Sequence, residues 1–71
     1  METYQAIKNM SDGMLIESYK ELKYDKLPKY SLVRGLQYEL SQEAGKTVAL
    51  SSAQYQVAME MVERFCKIEN D

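Results

Sequence analysis

The residues able to do chemistry in this chain are few, and their spacing gives them little to work with. Cys66 is the one cysteine, and no histidine occurs in the 71 residues, so no imidazole is present to draw off its proton. A thiol attacks as the thiolate, and without that help Cys66 reads as a small buried hydrophobe on an apolar helix face. One thiol and no histidine also exclude a structural zinc site within a single chain. Gly45-Lys46-Thr47 matches the end of a phosphate-binding loop, but the glycine that should precede it is absent. A helix stop followed by an extended link accounts for the same residues. The carboxylates read as solvated helix faces, since no spacing gathers two of them into one pocket. No metal or cofactor is expected, and without a nucleophile–base constellation the chain is not expected to be an enzyme.

Recognition is the chemistry that remains. Six tyrosines and five methionines occur in this short chain, and both types are favoured at protein interfaces, tyrosine for area with a polar tip and methionine for adaptability. Tyr19, Tyr55 and Met59 lie on apolar stripes and are expected in the core. Tyr24, Tyr30 and Tyr38 fall off the stripes and are candidates for partner contact.

The elements that must hold these residues are helices. Ser11 or Asp12 offers an N-cap, and Met10 with Leu15 has hydrophobic-staple spacing, so a helix is expected from there to about Tyr24. Leu15, Tyr19 and Leu22 make its stripe, with Ile16 at the edge, while Glu17, Lys20 and Glu21 point away. Pro28 forces a turn near Leu27 and suits the first turn of a second helix, Pro28 to Ala44, stopped by Gly45. Leu32, Val33, Leu36 and Leu40 share its apolar face. A connection this short makes the two helices an antiparallel hairpin. Gly35, in mid-helix, marks either a close backbone approach or a locally weak helix.

After an extended link, Lys46 to Leu50, Ser51 and Gln54 have the spacing of a capping box and start a third helix at about Ser52. Tyr55, Ala58, Met59, Val62, Phe65 and Cys66 fill one broad face, expected to close over the hairpin. Gln56, Glu60, Glu63 and Lys67 lie opposite, and Val57, Met61 and Ile68 form a flanking strip expected to seek a second chain. The expected fold is therefore all-α: residues 1–71 form a single small helical domain. It consists of an N-terminal arm (1–10) that is a short helix or a packed segment, a helical hairpin (11–44) and a C-terminal helix (51–68), together a small three-helix bundle.

Composition narrows the function classes. Nine Lys+Arg against eleven Asp+Glu give a net charge of −2, which leaves no cationic excess to neutralise phosphates, so nucleic acid is a disfavoured partner. No apolar run approaches the ~20 residues needed to cross a bilayer. With one cysteine, and a start that lacks the layout of a secretory signal, a cytoplasmic protein is expected. A domain this small is marginal alone, which makes homo-oligomerisation a natural expectation.

The run Ser11-Asp12-Gly13-Met14-Leu15-Ile16-Glu17-Ser18-Tyr19 resembles the opening of the Sda family of sporulation histidine-kinase inhibitors, and Leu27 falls on that family's turn leucine. With one inserted residue, Leu32, Val33, Leu36, Glu39 and Leu40 follow the pattern of its second helix; the likeness covers about residues 11–40. Gly35 departs from an apolar family position, Ser41-Gln42-Glu43 stand where the family is basic, and the third helix has no counterpart. The resemblance implies an inhibitor or regulator that docks its hairpin on a sensor histidine kinase, with Leu27 and Leu32 at family binding positions and Tyr30 as an alternative aromatic. The expected contact residues are thus Leu27, Tyr30, Leu32, Tyr24 and Tyr38. Two alternatives stand beside this reading: a homodimeric structural or regulatory adaptor using Val57, Met61 and Ile68, and a helix-turn-helix-like DNA-binding regulator, which the acidic balance argues against.

Overall fold

A computed structural model of the chain describes residues 4–24 and 31–66. Among these the chain forms four α-helices, α1 (Gln5–Lys8), α2 (Asp12–Lys23), α3 (Leu32–Ala44) and α4 (Leu50–Met61), and α4 runs on into a π-helical turn, Val62–Cys66. No strand occurs among the described residues. The expected all-α class holds, and the N-terminal arm contributes a short helix of its own.

Ser11 caps α2 as its residue type allows. It is extended, and its Oγ accepts the Met14 N–H at 3.1 Å. Asp12 sits in the positive first turn, and Lys20 and Lys23 in the negative last one. The described start of α3 is Leu32, four residues after Pro28, which lies outside the described residues. Every early amide of α3 has an acceptor there. Glu21 of α2 accepts from Leu32 N–H (2.8 Å) and Val33 N–H (3.4 Å), and the Ser31 Oγ accepts from Arg34 N–H (3.1 Å). The Ser31 hydroxyl in turn donates to Glu21. Gly45 ends α3 in the left-handed region, φ 69°, with its N–H on the Ser41 carbonyl; a glycine adopts this conformation without Cβ strain.

The link to α4 is pinned to α3 at Val48. Its N–H donates to Ser41 Oγ (2.9 Å), its carbonyl accepts from Gln37 Nε2 (3.0 Å), and its side chain is buried. That anchor delivers the chain to the helix at Ala49, which caps α4 without a side-chain bond, so the Ser51–Gln54 capping box does not form. The helix starts at Leu50 rather than Ser52.

The core is Ile7, Leu15, Val33, Leu36, Leu40, Val48, Ala53 and Val57, with Leu22, Ala44, Leu50 and Met61 packed against it. α4 packs on both α2 and α3, α2 and α3 meet each other, and α1 lies against α3 and α4. Val33, Leu36 and Leu40 take their expected inward places, while Leu32 is half-buried. On α2 the inner face is Leu15 and Ser18, with Leu22 at its edge, and Tyr19 is exposed rather than in the core. Ser18 tolerates complete burial because its Oγ donates to the Met14 carbonyl at 2.8 Å.

α4 is rotated relative to the expectation. Tyr55, Val62, Phe65 and Cys66 face outward, Ala58 and Met59 are half-buried, and the inner face is Ala53, Val57 and Glu60. Cys66 is an exposed thiol, not a buried hydrophobe. The inner face follows Leu50, Ala53, Val57 and Met61, and it takes Glu60 with it: a carboxylate on a helical wheel is assigned to solvent, but this one is buried against Lys8 and Arg64.

Candidate functional site

The exposed surface nearest the resemblance is a groove between α2 and α3. Met10, Met14, Ser31, Leu32, Gly35, Leu36 and Glu39 line a cavity of about 250 Å³. Gly35 makes the room. A Cβ placed on it would meet nothing within 4 Å, so the helix surface is open at that point. Met14 is about half exposed, and the two methionines are flexible, polarisable walls. Glu39 is the one charged residue in the lining. Such a groove has room for one or two apolar side chains.

Of the residues expected to contact a partner, Leu32 lines this groove, and Tyr24 and Tyr38 are each 61% exposed. Leu27 and Tyr30 lie outside the described residues. Gly35, Met10 and Met14 are groove residues that the sequence reading did not select. The signal for Gly35 was present as an unexplained mid-helix glycine, but its reading as a notch depended on knowing which way α3 faces. Of the expected dimer strip, Val57 is fully buried in the chain's own core and Met61 packs on that core; Ile68 lies outside the described residues. Val57 is therefore unavailable to a second chain, because the helix that carries it is turned inward.

A second concentration of chemistry is the charged cluster joining α1 to α4. Arg64 uses all five of its N–H groups. Nε donates to Glu60 (2.8 Å), Nη1 to the Met10 carbonyl (2.7 Å) and Asp12 (3.0 Å), and Nη2 to the Ile7 (3.1 Å) and Lys8 (3.2 Å) carbonyls. The guanidinium thus satisfies the carbonyls at the end of α1 and the corner leading to α2. Lys8 Nζ binds Glu60 and Glu63, both at 2.8 Å. Burial pushes the Glu60 carboxyl up, but the hydrogen bonds from Lys8 and Arg64 outweigh it and hold the carboxyl below the usual carboxylate range. Glu60 in turn holds the Lys8 ammonium and the Arg64 guanidinium above their ordinary values, with Glu63 and Asp12 adding to the effect. Every charge is partnered, and no buried side-chain donor or acceptor among the described residues lacks a bond. The cluster is a fastening and has no free base or acid to offer a substrate.

A larger depression, about 600 Å³, lies where the 45–49 link meets α4. Lys46, Thr47, Ser51, Ser52 and Tyr55 are on its walls, which carry one cation and no carboxylate. No group of acidic, cysteine or histidine residues suited to a metal ion occurs among the described residues. Among the same residues, no helix is long and apolar enough to cross a membrane. Comparison with protein-family models, characterised proteins and solved structures finds no match to this chain.

Proposed function

We propose that this chain is a small non-enzymatic interaction module that inhibits or regulates a partner by docking its α2–α3 hairpin, the partner being a sensor histidine kinase of the class implied by the Ser11–Tyr19 and Leu27 resemblance. The observation that carries the reading is the groove at Gly35, flanked by Met14 and Leu32. It lies between the two helices of the stretch that resembles the inhibitor family, but its notch falls at Gly35, where that family has an apolar residue, so the groove supports docking of side chains from a helix and not the family match itself. In this reading Leu27 and Tyr30 extend the contact at the turn, Tyr24 and Tyr38 form its rim, and the work is done in the cytoplasm without metal or cofactor.

The reading is tested with the purified chain and a sporulation sensor kinase. Binding or slowed autophosphorylation at micromolar concentration is expected, weakened about tenfold or more by Gly35→Met, which fills the notch. Because nothing in the chain obstructs a side chain at position 35, that variant should keep its helicity. Leu27→Ala should weaken the same interaction. Absence of both binding and inhibition overturns the kinase reading, and full activity in Gly35→Met removes the groove from it.

A further inference from the structure

Among the described residues, every carboxylate but one is engaged within the chain. Asp12 is held by Arg64, Glu17 by Lys20, and Glu60 and Glu63 by Lys8, while Glu21 and Glu43 accept from the first amides of α3 and α1. Glu39 is the exception: it is exposed on the wall of the α2–α3 groove, and no cation among the described residues is bound to it. We infer that the groove receives a cationic amphipathic helix, whose apolar side chain enters the notch at Gly35 and whose Arg or Lys, one turn along, closes on Glu39. The inference rests on the reading of this groove as a docking surface and adds the chemistry of what docks there.

Gly35 and Glu39 are four positions apart on α3, about 6 Å along its axis, and residues at that spacing share one face of a helix. A helix lying along the groove presents its own residues at the same interval. An apolar anchor and a basic residue three or four positions from it therefore meet the notch and the carboxylate together. Met10 and Met14 complete the lining and adapt to the shape of the anchor. Arg34, the cation nearest to Gly35 in sequence, is not part of the lining, so the charge the groove presents is negative.

The carboxylate discriminates among occupants because docking strips water from it. A cation at that level offsets the loss, a neutral side chain offsets part of it through a hydrogen bond, and an acidic side chain adds repulsion. Arginine suits the place better than lysine, since its fork can bond both carboxylate oxygens at once. The apolar walls meanwhile exclude a simple polycation as the matching ligand, because it would leave the notch at Gly35 empty.

Three helical peptides in one Ala/Gln host test this, each with two leucines a turn apart and, a turn further on, Arg, Gln or Glu. They are titrated to millimolar concentration into the full chain while the amide resonances of Gly35 and Glu39 are followed. The Arg peptide should bind about fivefold or more tightly than the Glu peptide, with Gln between them, and the preference should shrink as salt is added. Glu39→Gln, a substitution at an exposed position, should bind all three alike, Glu39→Arg should reverse the order, and Gly35→Met should weaken all three together. Absence of binding by every peptide overturns the inference, as does a ranking indifferent to charge or unchanged in Glu39→Gln. Self-association of the chain that Gly35→Met abolishes would make a second copy the occupant and overturns it as well. The kinase takes no part in these titrations, so the two readings fail separately: a chain that inhibits the kinase but ranks the peptides alike loses this inference and keeps the hairpin reading, and one that ranks the peptides but ignores the kinase loses that partner alone.

Discussion

The α2–α3 pair and α4 are helices of nearly equal length, but they are specified in different ways. In α2 and α3 the signals are local: a serine before each helix bonds the amide three residues on, and a glycine ends α3 with positive φ. In α4 the start has no side-chain cap, and the inner face carries, beside Ala53 and Val57, a carboxylate that binds a residue about fifty positions away. Local signals mark much of where α2 and α3 begin and end; the inner place of Glu60 shows only once its distant partner is placed.

The largest effect should come from the ion cluster. Glu60→Ala leaves Arg64 partly buried without its closest anion and is expected to destabilise the fold by about 2–4 kcal/mol, measured by chemical denaturation. Lys8→Ala, at the exposed edge, should cost clearly less. If the two are equal, the inward turn of α4 does not depend on Glu60. The same carboxylate predicts a pH response. Its value is lowered on folding, so its contribution is complete above the ordinary carboxylate value of 4.5 and is lost as pH falls through the lower folded value. Lys8, raised on folding, contributes fully below its ordinary 10.5 and loses that contribution as pH rises through its folded value. The thermal midpoint should fall on acidification, and less steeply in Glu60→Gln.

Next in size is the contrast between the two sides of α4. Val57→Ala should cost about 2 kcal/mol as a core truncation, while Tyr55→Ala, on the outer face, should change the stability of the monomer by no more than about 0.5 kcal/mol. The reverse order would restore the facing expected from the helical wheel. Glu21→Ala removes the acceptor of two α3 amides and is expected to cost about 1–2 kcal/mol. The smallest effect is a gain. Gly35→Ala should stabilise α3 by up to about 1 kcal/mol, since its surroundings are open.

What the sequence disclosed follows the same division. The helical class, the span of α2, the end of α3 and its buried Val33, Leu36 and Leu40 were legible, because capping residues and apolar spacing act over a few positions. The rotation of α4 was not, because Glu60 and Arg64 count as solvent residues until Lys8 and the carbonyls of α1 are known to lie beside them. Tyr19, Tyr55 and Cys66 were placed inside for a related reason: apolar spacing identifies a face but not the neighbour that covers it. Of the candidate contact surface, Leu32 could be selected from sequence, whereas the notch at Gly35 required the orientation of its helix. The role of Glu43 was equally hidden. Its two carboxylate oxygens accept from Gln5 N–H (2.8 Å) and Ala6 N–H (2.6 Å), joining the last turn of α3 to the first turn of α1.

That last contact bears on how the molecule folds and unfolds. α1 has four residues and no cap of its own, and a helix so short does not persist in water unaided. Its first amides depend on Glu43 and its last carbonyls on Arg64, just as the first amides of α3 depend on Glu21. Both ends of α1 and the start of α3 are thus completed by other helices, which couples their formation and makes partial structures poor in hydrogen bonds. Under hydrogen exchange, the amides of Gln5 and Ala6 should open together with the last turn of α3, as one cooperative unit rather than as a fraying end.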